Sequence, residues 1–266
     1  MFFRVKNHGS MERQGLDSST PWWSLHLARY AFARPFVASG RVLDVACGSG
    51  YGLSLLGQAG ARPFGVDVSM AAALEARGCN LEARVLVADG TKLPFQDRSF
   101  DAIVSFETIE HLQNRGGFVR ELSRVLRDEG LLILSTPNAI HTRPLNGKPQ
   151  NPFHCYEYTP EELRAALLPC FASTHLLGQS LDRRFLVPPF WDEQERLARE
   201  GRRIAVLLWR ALHKLPRPWG DLGSNLLWGH SLVPAVEDYR FEEADLASAP
   251  VLVAVGRNPI RSRVQP

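Results

Sequence analysis

Cysteine is scarce in this chain of 266 residues, and its four copies lie far apart, at Cys47, Cys79, Cys155 and Cys170. No two of them have the C-x-x-C spacing of a zinc or redox site, so the sequence predicts neither a bound metal nor a disulfide framework. Long apolar runs are lacking too. No stretch approaches the roughly 20 residues that cross a bilayer, and no apolar signal core stands at the start. These absences favour a cytoplasmic location without stable membrane insertion.

A strong charge of either sign is also missing. Lysine and arginine number 31 against 28 acidic residues, a balance too even to predict a nucleic-acid partner. What is present is the composition of an ordinary globular protein, with 45% hydrophobic and 22% charged residues. A hydrophobic core can therefore form.

From residue 42 onward, short apolar segments alternate with segments of helical character. This rhythm predicts an α/β fold of the Rossmann-like, doubly wound type, with a mostly parallel seven-stranded sheet and helices on both faces. The predicted strands are 42–46, 62–66, 84–88, 102–106, 131–135, 171–177 and a last strand in "APVLVAVGRNP"; the predicted helices include 52–58, 69–76, 117–126 and "TPEELRAALL". Residues 136–158, rich in proline and aromatic side chains, are predicted to form a long loop.

The predicted organisation has four parts. An N-terminal arm and helix (1–40) precedes the core (41–178), an insertion or cap (179–249) shapes the acceptor site, and 250–266 hold the final strand and a tail. In the insertion, apolar residues recur every three or four positions and predict one helix face. That helix either packs on the core or on a second subunit, or lies at an anionic membrane surface. Its apolar residues are Ile204, Leu207, Leu208, Ala211, Leu212 and Leu215, flanked by Arg203, Arg210, Lys214 and Arg217.

The segment "RVLDVACGSGYG" (41–52) combines a buried strand with a glycine-rich loop. A dinucleotide loop of the form G-x-G-x-x-G is excluded because Leu53 stands three residues after Gly50. A phosphate-binding P-loop is excluded because no Lys-Ser or Lys-Thr follows the glycines. At the carboxyl end of a first strand, this leaves a ligand that approaches the backbone closely but carries no phosphate.

Four ordered blocks carry a resemblance to a known family: "VLDVACGSGYG", "GVDVS", "VADGTKLPFQDRSFDAIVSFETIEHL" and "RVLRDEGLLILSTPN". They resemble the successive motifs of class I S-adenosylmethionine (SAM)-dependent methyltransferases, in the branch similar to ubiquinone-biosynthesis methylases. The N-terminal part also resembles methyltransferases of bacterial glycan and natural-product pathways. One departure is Ala46, which stands where the family usually has its first glycine.

The resemblance implies SAM as the cofactor and assigns residues to each part of it. Asp44 faces the methionine amino group, and Asp67 takes both ribose hydroxyls, since a carboxylate offers two acceptor oxygens. The other implied cofactor residues are Ala46, Gly48 and Gly50 in the loop, Val68 and Leu93 beside the adenine, Asp89 with Gly90 at the adenine edge, Phe106, and Tyr30, which with His26 closes the pocket or packs the first helix.

Two histidines are the candidate catalytic bases for a hydroxyl acceptor, because histidine has a suitable pKa for removing its proton. His154 lies in the long loop, in "NPFHCYEYT", where Glu157 can orient its imidazole. His111, in "ETIEHL", resembles the family's Glu-His pair near the methyl donor. For either one, a local structural role is the alternative.

The function expected is methyl transfer to a hydroxyl of a small molecule, sugar or glycan, with a homodimer compatible with the sequence. One alternative is a methylase of a prenylated quinone or other lipid, acting on oxygen or carbon. Another is a non-catalytic SAM-fold binding module, although Asp44, Asp67 and Asp89 are all retained.

Overall fold

A computed structural model describes residues 21–37, 39–79, 83–142, 146–190, 194–195, 197–244 and 246–260. The predicted N-terminal arm and C-terminal tail lie outside these residues. The chain divides into two compact units. Unit 1 takes its described residues from Arg29–Gln179 and Phe241–Pro266, and unit 2 from Asp17–Ala28 and Ser180–Arg240.

One sheet of eight strands in the order β3-β2-β1-β4-β5-β8-β6-β7 organises the fold. β3, β2, β1, β4 and β5 run parallel, while β8 pairs antiparallel with β5 and β6. The predicted fold class is therefore confirmed, with one strand more than the seven expected. The strands are β1 (Arg41–Val45), β2 (Arg62–Asp67), β3 (Arg84–Val87), β4 (Phe100–Phe106), β5 (Leu126–Pro137), β6 (Phe171–Leu181), β7 (Tyr239–Glu242) and β8 (Val251–Pro259).

Helices follow the strands as the sequence rhythm predicts. α6 starts at a capping box, in which the Thr159 hydroxyl accepts from the Glu162 N–H and the Glu162 carboxylate accepts from the Thr159 N–H. The helices are α1 (Pro21–Ala33), α2 (Tyr51–Gln58), α3 (Met70–Cys79), α4 (Arg115–Val125), α5 (Ala139–Thr142), α6 (Pro160–Leu167), α7 (Arg203–His213) and α8 (Arg217–Trp228).

The segment predicted as one loop, 136–158, is partly regular. Its first two residues extend β5, α5 follows, and Asn138 pairs with Tyr158 in a parallel bridge. Hydrogen bonds of the Asn138 side chain explain this regular structure, since its Nδ2 donates to the carbonyls of Leu246 and Ala249. These contacts join residues about 110 positions apart, so the local sequence does not predict them.

The core of unit 1 lies on both faces of the sheet. Leu43 and Val45 belong to one cluster of buried side chains, and Val42 belongs to a second. Successive residues of a strand point to opposite faces, so this split means that β1 is covered on both sides. Near-continuous apolar strands are the sequence signature of that arrangement.

Unit 2 has a small core of its own, built around Val187, Leu197, Val206, Trp209 and Leu232. α7 contributes Val206 and Trp209 to this core. The sequence periodicity predicts that a different apolar face of the helix is the one that packs. Most of that predicted face is exposed, and only Leu212 contacts the small core. None of the helices among the described residues is long and apolar enough to cross a membrane.

Candidate functional site

Most residues of the candidate site follow the carboxyl ends of β1, β2 and β4, and His154 and Glu157 lie in the segment between α5 and α6. Because these strands are parallel, their carboxyl ends lie along one edge of the sheet. The edge has two parts, both in unit 1. The cofactor cradle consists of Asp44, the 46–50 loop and Asp67, and the acid–histidine cluster consists of Glu110, His111, His154 and Glu157.

The loop after β1 turns sharply through left-handed backbone conformations. Ala46, Gly48 and Gly50 have φ values of 65°, 55° and 82°. The N–H groups of Ala46 and Cys47 both donate to the Val66 carbonyl, at 2.8 and 3.0 Å, which ties the loop to β2. The position of Ala46 is therefore one that suits glycine, and the alanine adopts it under strain.

The glycines of the loop serve different purposes. A Cβ on Gly50 would lie 2.6 Å from Ala76 of α3, and one on Gly52 would lie 2.1 Å from the Tyr30 ring, so packing within the chain requires both. At Gly48, no described atom lies within 4 Å of such a Cβ. The sequence attributes all three glycines to the approach of a ligand, whereas Gly48 alone faces open space.

Asp44 is buried at the end of β1, with 1% of its surface exposed. The Tyr30 hydroxyl donates to its Oδ2 at 2.9 Å, while Oδ1 has no hydrogen-bond partner among the described residues. Burial raises the pKa of Asp44 to about 7, a rise that the Tyr30 hydrogen bond opposes and the nearby Asp67 charge increases. A buried carboxylate with an unpartnered oxygen suits a cationic ligand group such as an ammonium.

Asp67 ends β2 and holds the loop from the other side. Its Oδ2 accepts from the Gly48 N–H at 3.0 Å and its Oδ1 from the Ser69 N–H at 2.8 Å. Each carboxylate oxygen has a second lone pair, so both can still accept from a ligand hydroxyl. The structure thus brings Asp44, Gly48 and Asp67 together, as the resemblance implies.

The residues predicted near the adenine are arranged less uniformly. Val68 is 55% exposed, whereas Leu93 is buried in the core. Asp89 is exposed, and its Oδ1 accepts from the N–H and hydroxyl of Thr91, both at 2.8 Å. A Cβ on Gly90 would come within 2.9 Å of Phe118, so this glycine has a packing role.

The aromatic residues Tyr30 and Phe106 pack together next to Asp44 of the cradle, which accepts the Tyr30 hydrogen bond. Their rings meet edge to face with centroids 4.9 Å apart, and Tyr51 packs on Tyr30 at 5.4 Å. Burial raises the pKa of Tyr30 well above its ordinary value, with the Asp44 charge adding to the effect. The Tyr30 hydroxyl therefore stays protonated and donates to Asp44.

Arg29 and Glu107 are polar residues at this edge that sequence reasoning missed. The buried Arg29 donates from Nε to Gln179 Oε1 at 2.7 Å, and its Nη1 lies 3.5 Å from Glu107 Oε1. Glu107 has a φ of 50°, a left-handed conformation uncommon for a side chain of this kind. Glu107 is the first residue of the quoted motif "ETIEHL", just after β4, and that position was the available signal.

His154 and His111 lie side by side, with ring centroids 4.9 Å apart. The N–H groups of Cys155 and Tyr156 donate to the Glu110 carbonyl, and these bonds hold the two segments together. His154 Nδ1 lies 2.5 Å from Glu157 Oε1, so Glu157 orients the imidazole as predicted. Because a carboxylate only accepts, Nδ1 donates there, and Nε2 faces the Asn151 amide at 3.0 Å.

Glu110 is fully buried beside the two histidines. Its Oε2 accepts from the Thr136 hydroxyl at 3.1 Å, and Oε1 lies 3.9 Å from His111 Nε2. Burial raises the pKa of Glu110 well above its usual value, and the charge of Glu107 adds to the rise. The ligand atoms of Glu110, His111 and His154 lie within 4.8 Å of one another, a spacing that allows a metal ion, although the sequence predicts none.

Comparison with known proteins identifies the family of the segment that contains the cofactor cradle. Residues 43–134 match a family model described as a methyltransferase domain. The matched segment runs from β1 through most of β5 and so contains the cofactor cradle. It is a methyltransferase domain of the class I SAM-dependent type, and SAM is its cofactor, which confirms both predictions. The unpartnered Asp44 oxygen and the open space at Gly48 fit that cofactor.

Two curated proteins that are named as methyltransferases are similar to this chain. A probable S-adenosylmethionine-dependent methyltransferase of Mycobacterium tuberculosis is 37% identical over 153 residues, 58% of this chain and 56% of the relative. A ubiquinone biosynthesis O-methyltransferase of Xanthomonas oryzae pv. oryzae is 33% identical over 132 residues, 46% of this chain and 55% of the relative. The chain thus spans about half the length of the curated relatives it matches.

Among solved structures, a SAM-dependent methyltransferase of Thermotoga maritima, described as a possible histamine N-methyltransferase, has a similar fold. The TM-score is 0.57 at 17% sequence identity, with 89% of this chain and 93% of the other covered. At this identity the likeness concerns the fold alone, and it agrees with the parallel sheet described above.

Proposed function

We propose that this protein transfers the methyl group of SAM to a hydroxyl oxygen of a small molecule or sugar. The cofactor supplies a sulfonium-bound methyl group, whose leaving group departs as a neutral thioether and needs no proton. What the chain must supply is a binding site for the donor, alignment of the acceptor and a base for its proton. The observation that carries the proposal is the buried His154–Glu157 pair at the same sheet edge as the cradle.

His154 is proposed as the base that takes the proton of the acceptor hydroxyl on Nε2. Glu157 fixes the tautomer by accepting from Nδ1 and stabilises the imidazolium that forms. Thr142 in turn donates its hydroxyl to Glu157, so the carboxylate is itself held in place. For the acceptor to reach Nε2, its hydroxyl takes the place of the Asn151 amide.

His111 is the second candidate base. Its Nδ1 lies 3.0 Å from the Phe153 carbonyl, an oxygen that only accepts, so Nδ1 carries the proton. Nε2 is then unprotonated, and it lies 3.9 Å from Glu110 Oε1. The two histidines thus present one unprotonated nitrogen each, and single variants separate their roles.

Within the cradle, Asp44 is proposed to bind the amino group of the donor and Asp67 its ribose hydroxyls. Ala46, Gly48 and Gly50 form the loop over the methionyl part, and Tyr30 and Phe106 close that side. Val68, Asp89 and Gly90 remain proposed adenine contacts. In support, Gly48 faces open space and Asp44 has an unpartnered buried oxygen.

The direct experiment incubates the purified protein and isotopically labelled SAM with candidate acceptors, followed by mass spectrometry of the products. Label found on a hydroxyl oxygen would support the proposal. Label only on nitrogen or carbon, or binding of SAM without transfer to any acceptor, would contradict it. Parallel reactions with a chelator and with added Mg²⁺ tell a histidine base from a metal-assisted reaction, because only the latter loses activity on chelation.

A methylase of a prenylated quinone is the second candidate. The observation that favours it is the 33% identity to a ubiquinone biosynthesis O-methyltransferase. The same labelling experiment decides between the two candidates when polar sugars and prenylated phenols are both offered.

A further inference from the structure

Unit 2 presents an apolar surface that its own core does not use. On α7 and just after it, Ile204, Leu207, Leu208 and Leu215 fall at i, i+3, i+4 and i+11 and are exposed, with Ile204 76% exposed. Val206 and Trp209 point the opposite way into the core. The helix is therefore apolar on two faces, and one of them faces outward.

α8 repeats this arrangement. Trp219, Leu222 and Leu226 fall at i, i+3 and i+7 and are exposed, with Leu226 79% exposed. The fully buried residues of α8 are small, Gly220 and Ser224, and Trp228 packs partly buried against the small core. Trp219, Leu222 and Leu226 are exposed instead, which is unusual for large apolar side chains of a surface helix.

The two helices that carry the exposed stripes pack closely against each other. A Cβ on Gly220 would lie 2.7 Å from the Leu212 carbonyl oxygen, and one on Gly223 would lie 2.6 Å from the Leu212 side chain. We name the combined surface the hairpin patch: Ile204, Leu207, Leu208, Leu215, Trp219, Leu222, Leu226 and Leu227. Eight large apolar side chains exposed on two adjacent helices mark an interaction surface.

Charge around the hairpin patch has one dominant sign. Between residues 197 and 228, the exposed charged side chains are five basic ones and a single acidic one, Glu200. Lys214 and Arg217 sit in and just after the turn between the helices, beside Leu215. The five basic residues are Arg199, Arg202, Arg203, Lys214 and Arg217.

This charge decides between two occupants of the patch. In a two-fold dimer the same surface of each copy meets itself, so the basic side chains of one copy would face those of the other and repel. An anionic lipid surface instead attracts each of them, while the leucines enter the headgroup and acyl boundary. The long Arg and Lys side chains can reach lipid phosphates from the edge of the patch.

We propose that the hairpin patch docks this protein on the surface of an anionic lipid bilayer, without crossing it. This inference stands apart from the proposed methyl transfer, because it concerns unit 2 and its readout is vesicle binding. It predicts reversible binding that needs both the apolar stripes and the basic residues.

The test is flotation of the full chain with vesicles of phosphatidylcholine alone and of phosphatidylcholine with phosphatidylglycerol. The wild type is expected to bind the anionic vesicles. Ile204→Asp and Leu226→Asp are each expected to weaken binding about tenfold or more, because they place a charge in the apolar boundary. Arg203→Glu with Lys214→Glu should weaken binding to anionic vesicles about tenfold, with added salt reducing the wild-type binding in the same direction.

The control is Leu168→Asp, the same change at an exposed leucine at the end of α6 in unit 1. It should bind vesicles like the wild type, and circular dichroism should show that all variants are folded. The proposal is overturned if the wild type does not bind anionic vesicles, or if Leu168→Asp lowers binding as much as Leu226→Asp. It is equally overturned if the wild type forms a lipid-free dimer that Leu226→Asp dissociates.

Discussion

The two parts of the site, the cofactor cradle and the acid–histidine cluster, are built in different ways. In the cradle, a strand end, a short loop and the next strand end lie within about 25 positions of each other, and hydrogen bonds from Gly48 and Ser69 to Asp67 lock them. In the cluster, His111 and His154 are 43 positions apart and meet through backbone bonds to Glu110. The cradle is thus built from segments that are close in sequence, whereas the cluster joins two segments that are far apart in sequence.

Removing the proposed base tests the cluster without disturbing the cradle. We expect His154→Ala to lower turnover about a hundredfold while SAM affinity is unchanged, since a general base contributes to the reaction and not to donor binding. Turnover with a labelled methyl donor and calorimetric SAM affinity are the two measurements. The matched control is His175→Ala, an exposed histidine on β6. If turnover is equal to the wild type, the role passes to His111.

Removing a cradle carboxylate tests the opposite part. Asp67→Ala is expected to weaken SAM binding more than about tenfold, because it removes acceptors for ligand hydroxyls and releases the Gly48 N–H. Isothermal titration calorimetry measures the affinity. Asp128→Ala, at an exposed acidic residue on β5, serves as the control and should bind SAM normally. An unchanged affinity in Asp67→Ala would reject the ribose assignment.

The raised pKa of Asp44 predicts a pH dependence that belongs to the cradle alone. Below about pH 7 the carboxyl is protonated in the folded protein. An ammonium group prefers the carboxylate, so SAM affinity should fall by up to about tenfold per unit as pH drops below 7. Calorimetry between pH 5.5 and 8.5 measures the effect. The surrounding Tyr30, Tyr51 and Cys47 have raised pKa values and do not titrate there.

Two variants sharpen this dependence. Asp44→Asn should bind SAM weakly with a flat pH profile, and Tyr30→Phe should move the midpoint upward, because the Tyr30 hydrogen bond lowers the pKa of Asp44. An unaltered profile in Asp44→Asn would assign the titration to another group. The same raised pKa also predicts how stability depends on pH in the absence of cofactor. Because the pKa of Asp44 is higher in the folded protein than the value of about 4 in the unfolded chain, the free energy of unfolding should fall as pH rises from 4 to 7.

The smallest effect concerns backbone strain in the loop. Ala46 has a φ of 65°, and glycine adopts that conformation without steric cost. We expect Ala46→Gly to raise the free energy of unfolding, because it relieves the backbone strain. The gain is limited to about 1 kcal/mol because glycine loses more conformational entropy on folding than alanine does. Thermal and urea unfolding measure it. Ala59→Gly, where φ is −78°, is the control and should destabilise.

Much of the fold and of the cradle follows from local sequence. β1, β2 and α2 lie within one or two residues of their predicted positions, and Asp44 and Asp67 come together because parallel strands end at one edge. The sequence did not predict α5 or the Asn138–Tyr158 bridge, because this part of the chain is held by hydrogen bonds from Asn138 to carbonyls about 110 positions away.

α7 shows a second kind of limit. Its apolar periodicity was visible, but periodicity cannot tell which of two apolar faces is buried when Val206 and Trp209 compete with Ile204 and Leu208. Which face is buried depends on Leu197 and Leu232, the core residues with which Val206 and Trp209 cluster.

The sequence by itself determined the strand and helix rhythm, the glycine-rich loop and the acids that end β1 and β2, because these depend on residues close together in the chain. The tertiary structure alone decided that Gly50 and Gly52 pack against Ala76 and Tyr30, and that His154 lies beside His111. It also decided which face of α7 is exposed. Each of these depends on contacts between distant segments, and such contacts exist only once the chain has packed.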